Sequence, residues 1–251
     1  MAINDNAPRN TGITRSAKVS ELLARGILED IVARDLQPGT MLPPEAQMLE
    51  QYRVGRASLR EALRILEVHG LIRVKPGPGG GPIIADVQSR DFGRTATFYF
   101  HARRAKFVDL LEARIVLEPL MTRMAAQRST ASLRTRLRDN IAEAESIIDE
   151  PGPDWGQISS EFHGLINSMS GNPVLDLIGS SLNDIHTDRV KPIFPVGGRA
   201  SVIRTHKKIA DAIDAGDGDE AERLSRRHVQ DLIKRIKDSD PTMLDELIDW
   251  H

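Results

Sequence analysis

The sequence predicts a mainly α-helical chain in two parts, a small N-terminal unit of three helices and one β-hairpin followed by a larger all-helical bundle. Three observations carry that prediction. Apolar residues recur at three- and four-residue steps along most of the chain. Short β-prone runs flanking a glycine-rich stretch occur between residues 71 and 85. Aromatic residues make up only 4% of a chain that is 40% apolar, which disfavours a sandwich or barrel of aromatic strands.

The first helix reads from Ala17 to Arg34, with Val19, Leu22, Leu23, Ile27 and Ile31 on one face. It stops before the turn residues Leu36-Gln37-Pro38-Gly39. Pro43-Pro44-Glu45 opens a second, short helix, because proline is tolerated in a first turn and a carboxylate suits the positive helix end. That helix carries Met48 and Leu49 and ends near Tyr52. Val54-Gly55 turns the chain into a third helix, Arg56 to His69, whose Leu59, Ala62, Leu63 and Leu66 share one face. Gly70 closes it. Leu71–Val74 and Ile83–Ala85 then read as a hairpin around Lys75-Pro76-Gly77-Pro78-Gly79-Gly80-Gly81-Pro82. A phosphate-cradling loop is discounted there, because no Gly-Lys-Ser/Thr follows and the loop leads into a strand.

From Asp86 onward the pattern is helical, with segments at Arg90–Arg104, Phe107–Gln127, Ala131–Ile148, Trp155–Met169, Pro173–Asp188, Val202–Ala215 and Asp219–Lys237. Breakers separate them at Pro151-Gly152-Pro153, Gly171-Asn172-Pro173, Pro192 to Gly198 and Gly216-Asp217-Gly218. A short tail helix follows Pro241. The expected division is a flexible tail over 1–16, a winged helix-turn-helix over 17–86, a linker and connecting helix over 87–106, a helical domain over 107–240 and a tail over 241–251.

Composition narrows the function classes. There is no cysteine, so neither a disulfide framework nor a thiolate metal site is available. The longest apolar runs fall far short of a membrane span, and Met1 to Thr14 lacks the apolar stretch of a signal peptide. The expectation is a cytoplasmic protein without a membrane partner. The net charge of −2 hides a local excess: residues 51–80 hold six basic side chains (Arg53, Arg56, Arg60, Arg64, Arg73, Lys75) against Glu61 and Glu67.

Helix, helix, tight turn, helix and hairpin is winged-helix topology, and its third helix must offer donors to the major groove of DNA. Arg56, Arg60 and Arg64 recur every fourth residue opposite Leu59, Leu63 and Leu66, and Ser58 sits at the N-terminal end, where such helices touch base edges. Gly77 would let the hairpin backbone approach the minor groove or a phosphate, and Lys75 could screen one.

These residues resemble a known family. Leu36-x-Pro38-Gly39-x-x-Leu42-Pro43, Glu45, Val54-Gly55-Arg56-x-x-Leu59-Arg60-Glu61-Ala62-Leu63 and Gly70-Leu71-Ile72 look like the GntR family of bacterial repressors. The resemblance implies a DNA-binding transcription regulator rather than an enzyme. Arg56 and Arg60 would read a double-stranded operator with Gly77 at the wing tip, and a homodimer would span two half-sites. Many members have an Arg where this chain has Ala46, so the operator contact made there is missing.

The helical part resembles the ligand-binding (FCD) domain of the FadR-type branch, through Leu111-Glu112-Ala113-Arg114, Leu117-Glu118-Pro119, Phe162-His163, Ser170-Gly171-Asn172-Pro173, His206, Ala212-Ile213-x-x-Gly216-Asp217 and His228. That domain often holds a divalent metal through an Asp and three histidines, and the metal with a nearby Arg binds an effector carboxylate. The resemblance carries the ligand roles to His163, His206 and His228, zinc being the first candidate ion, and the Asp position falls on Ser159. A hydroxyl is a far weaker ligand than a carboxylate. Arg114 is the expected clamp for a small organic-acid effector; the alternative is a buried ion pair with Glu112 or Glu118. His69, His101, His186 and His251 match no pattern and read as structural or exposed. Two rivals remain at this point: a metal-free pocket for an acyl-CoA-like ligand, and a helical metallohydrolase using the three histidines, which lacks a paired carboxylate or general base at motif spacing.

Overall fold

A computed structural model describes residues 11–77, 79–150, 154–190 and 196–249. The fold is mainly α, as the periodicity predicts. Its elements are α1 (Thr11–Ala33), α2 (Glu45–Tyr52), α3 (Arg56–Val68), β1 (Ile72–Lys75), β2 (Gly81–Ile84), α4 (Ser89–Ala102), α5 (Phe107–Arg128), α6 (Ala131–Ser146), α7 (Asp154–Met169), α8 (Pro173–Val190), α9 (Val196–Asp214), α10 (Gly218–Ser239) and a 3₁₀ turn, Pro241–Asp245. The chain divides into two compact units, residues 1–88 and 89–251.

In the first unit, α1 starts at Thr11, six residues before the sequence reading places it, so the expected tail over 1–16 is partly helix; residues 1–10 lie outside the described residues. Its buried face also differs. Leu23, Ala24, Ile27 and Ile31 are buried with Ser20, whereas Val19 and Leu22 are exposed. Residues 20, 23, 24, 27 and 31 keep to one stripe at 3.6 residues per turn, and positions 19 and 22 fall beside it. The stripe packs with Met48 of α2 and with Leu59, Ala62 and Leu66 of α3, closed by Ile72 and Ile84 of the hairpin. Asp30 on α1 ties α2 down, its Oδ2 accepting from Tyr52 Oη at 2.6 Å and from Gln51 Nε2 at 2.9 Å.

The turn between α2 and α3 rests on Arg53, whose φ of 51° is left-handed; Gly55 caps α3 in extended backbone. Beyond α3, β1 and β2 pair antiparallel, with Ile72 opposite Ile84 and Lys75 opposite Gly81. The turn at Pro38-Gly39 falls where the sequence places it, and residues 40–42, which the sequence reading leaves unassigned, add an extended segment. Ile84 N donates to Thr40 O at 2.9 Å, Leu42 N donates to Pro82 O at 2.8 Å, and Met41 bridges Ile83.

The second unit is a bundle around α5, whose buried residues span Phe107 to Ala126 and include Arg114 and Glu118. A proline inside a helix leaves the carbonyl four residues earlier without its backbone donor. Here that residue is Ile115, and Arg226 Nη1 of α10 donates to its oxygen at 3.2 Å. The helix therefore continues through Pro119. One apolar core joins α5, α6, α7 and α9 around Phe162, Leu137, Ile209 and Ile213; a second joins α5, α8 and α10 around Leu111, Leu232 and Ile236.

Three boundaries differ from the sequence reading. Helix α4 packs on α8, where Ser181 Oγ donates to Ser89 O at 2.8 Å, so it belongs to the bundle instead of standing apart as a connector. Helix α9 begins at Val196, ahead of Val202, and runs through Gly197 and Gly198. Arg199 secures that extra turn by donating to Ile148 O and Glu150 O at 3.1 and 2.7 Å and lying over the Trp155 ring. The C-terminal stretch docks rather than trailing: Leu244 and Ile248 are buried, and Ile248 N donates to Ala105 O at 2.9 Å. Among the described residues no helix is long and apolar enough to cross a membrane.

Candidate functional site

In the first unit, the face of α3 opposite Leu59, Ala62 and Leu66 presents Arg56, Arg60 and Arg64 as exposed side chains, with Ser58 half-buried in the first turn. Arg60 and Arg64 stand on the wall of a cleft of about 740 Å³ whose far side is Gly80, Gly81 and Pro82 of the hairpin. Lys75 and Gly77 are exposed at the hairpin end. The glycines there are needed for different reasons. Gly77 has φ of 95°, a left-handed backbone that L side chains rarely adopt, and its Cβ would meet nothing. At Gly80 an added Cβ would stand 2.2 Å from Lys75 O, so the tip closes only on a residue without a side chain. Gly80 N donates to Gly77 O at 2.9 Å across that tip. Ala46 is exposed at the start of α2.

In the bundle, His163 of α7, His206 of α9 and His228 of α10 bring one ring nitrogen each within 4.8 Å of the others. His206 Nε2 and His228 Nε2 are 3.4 Å apart. Phe162 stacks on His206 at 3.7 Å between ring centroids and holds its plane. Burial, followed by the neighbouring His228 and His163, keeps the His206 imidazole well below its ordinary pKa. His228 is pushed down to about 3, by burial first and then by His163. Both rings are therefore neutral near pH 7, the state that offers a lone pair to a metal.

The donor set fits a small divalent ion. Two nitrogens at roughly 2.0–2.1 Å from a tetrahedral zinc are about 3.3–3.4 Å apart, the separation found for His206 and His228. Glu118, Thr122, His163 and His228 also line a small cavity of about 10 Å³, the size of one ion or one water. Ser159, one turn before His163, is half-buried and makes no side-chain hydrogen bond among the described residues.

Arg114 is 2% exposed and pairs through Nε with Glu118 Oε1 on the same helix; Glu112, the other acidic neighbour, is exposed. The second carboxylate oxygen, Glu118 Oε2, lies 3.3 Å from His163 Nδ1. Burial raises the Glu118 carboxyl, but Arg114 and then His163 outweigh it and hold it well below the usual carboxylate range. Arg114 Nη1 is buried with no hydrogen-bond partner. A buried guanidinium donor left unmatched is costly, and it is the kind of group that a ligand oxygen completes.

Sequence reasoning missed two residues of this centre. Glu118 enters it only as a possible partner of Arg114, since no local pattern links it to a histidine 45 positions away. His186 matches no motif, yet it is buried with Nδ1 2.8 Å from Asn183 O. Burial lowers its pKa first, and then the charge of Arg114, so it belongs to the same polar interior. His101 is exposed with Nδ1 3.2 Å from Ile248 O, His69 is exposed, and His251 lies outside the described residues.

Comparison with known proteins agrees with this division. Residues 20–80 match the model of bacterial regulatory proteins of the gntR family, and residues 109–231 match that of the FCD domain. The chain is 27% identical over 208 residues to the uncharacterized HTH-type transcriptional regulator YieP of Escherichia coli, covering 81% of this chain and 89% of that protein. It is 26% identical to the HTH-type transcriptional repressor NanR of Cronobacter sakazakii, over 86% of this chain and 84% of the relative. Among solved structures, a Streptococcus agalactiae GntR protein superposes with a TM-score of 0.70 at 24% identity, covering 86% of this chain and 99% of that one, a likeness of fold.

Proposed function

From the premise that the chain belongs to the gntR family of bacterial regulatory proteins, carries an FCD domain and is a transcription regulator, not an enzyme, we propose that it is a repressor whose grip on its operator is set by a small organic acid bound in the bundle beside a divalent metal. The observation that carries the effector reading is the unmatched, buried Nη1 of Arg114 in the same polar interior as the three-histidine cluster. His163, His206 and His228 would hold the metal, zinc being the first candidate. When bound, the ion supplies positive charge that attracts a carboxylate. Arg114 would orient that carboxylate through its free guanidinium edge.

In the first unit, Arg56 and Arg60 would read base edges from α3, Ser58 would assist at its N-terminal end, and Lys75 and Gly77 would meet the backbone or minor groove from the hairpin. The exposure of Arg56 and Arg60 on the face of α3 opposite its packed apolar residues, and of Lys75 and Gly77 on the hairpin, supports that assignment. We further propose a homodimer, which would set two such helices on half-sites about one DNA turn apart. The relative named a repressor supports repression as the default action.

The cavity of about 10 Å³ beside the histidines has room for an ion and for no larger ligand. An organic acid bound beside the histidines must therefore move the side chains that line this cavity. Such a rearrangement is the differential contact between two states that a population shift requires.

Mobility-shift titration of the full chain against DNA from its own upstream region, with bulk competitor at moderate salt, tests this reading. The expected result is a specific complex that a subset of small carboxylic acids weakens in the presence of zinc. No preference for any DNA over competitor would overturn the regulator mechanism. Specific binding that no carboxylate alters, with or without zinc, would overturn the effector part alone.

A further inference from the structure

The position that supplies the acidic ligand in the resembling domains is Ser159 here, yet the centre is not without a carboxylate. We propose that Glu118 is the acidic residue of this site, holding His163 in the tautomer that binds metal and coupling the metal to Arg114. The inference rests on the three-histidine metal reading and extends it to a residue on a different helix.

Glu118 is 6% exposed, and each of its oxygens has a different partner. Oε1 takes Arg114 Nε, and Oε2 faces His163 Nδ1 at 3.3 Å. An ionised carboxylate only accepts, so the imidazole proton belongs on Nδ1 and the lone pair on Nε2. A metal-binding histidine commonly donates its other N–H to a carboxylate in this way, which fixes the ring and raises its basicity. Thr122 Oγ1 donates to the Glu118 carbonyl at 2.7 Å, and its side chain joins those of Glu118, His163 and His228 around the ion-sized cavity.

Arg114 gives this carboxylate its second function. Lone buried charges are costly, and each of these two side chains compensates the other. A ligand carboxylate that engages Arg114 Nη1 shares the guanidinium with Glu118 and so weakens or shifts the Arg114–Glu118 pair. Glu118 in turn touches a histidine of the cluster. The carboxylate-binding and metal-binding groups are thus linked through one residue, and occupancy of either changes the other.

The test uses the full-length protein and zinc alone, measured by competition with a chelating dye, with cobalt(II) absorption as a spectroscopic readout. Glu118→Gln keeps an acceptor but removes the charge, and a zinc affinity about 10-fold weaker is expected. The double variant Arg114→Met with Glu118→Leu removes both charges together, so it should fold with a normal thermal midpoint while binding zinc about 100-fold more weakly, with a shifted cobalt d–d band. A folded double variant with wild-type zinc affinity and cobalt spectrum would overturn the proposal while leaving the three-histidine site standing. Wild-type protein that binds no zinc would overturn both.

Discussion

His206 and His228, from two helices of the bundle, hold their Nε2 atoms 3.4 Å apart, His206 buried and His228 half-buried. Two positively charged imidazolium groups could not remain so close, and at neutral pH both rings are uncharged.

That pair makes stability depend on acid. His206 and His228 have folded-state pKa values below the ordinary imidazole value of about 6.5, His228 at about 3. The unfolded chain therefore takes up protons first as pH falls. Stability is intact above about pH 6.5 and declines from there down towards pH 3. Thermal midpoints of metal-free protein should fall between about pH 7.5 and about pH 5, and less so in His206→Gln. A flat profile in the wild type would contradict the neutral pair.

Arg56→Ala and Arg60→Ala should each weaken operator binding by about 1–3 kcal/mol, the range for a lost bidentate contact to guanine. Both side chains are exposed on α3, so the unfolding free energy should stay within about 0.5 kcal/mol of wild type. Fluorescence anisotropy on operator DNA and a melting curve on the same samples separate the two effects. Wild-type affinity in both variants would remove this helix from the base-reading role.

Gly80→Ala tests the wing. The new methyl would sit 2.2 Å from Lys75 O and 2.9 Å from Gly77 O, so the tip must open. The expected outcome is weaker DNA binding with zinc binding unchanged, because the hairpin belongs to the other compact unit. Gly77→Ala, which forces a side chain into a left-handed backbone, should cost about 1–2 kcal/mol of local strain and act in the same direction. If both variants bind operator normally, the hairpin makes no contact that matters.

Most of the fold was legible because it is written in local periodicity. The stripes of α3 and α10, the glycines of the hairpin and the breakers between helices are properties of neighbouring residues. The three histidines were legible in a different way, through resemblance to a domain in which those positions recur. Local patterns failed where a distant group compensates a local fault. A glycine pair reads as a helix breaker, but Arg199 reaches residues 148 and 150 to stabilise that turn of α9. Residues 40–42, after the turn at Pro38-Gly39, are extended because β2 supplies their hydrogen-bond partners some 40 residues later.

The sequence by itself determined a mainly helical chain with arginines opposite an apolar face and a cysteine-free set of histidines as the candidate ligands. Only the tertiary structure decided that Arg114 pairs with Glu118, that Glu118 also faces His163, and that His186 lies in the same interior. The reason is that helical spacing fixes which side of a helix a residue occupies, whereas packing between helices fixes what it meets there. A charge buried by that packing must find its partner wherever in the chain the partner happens to be.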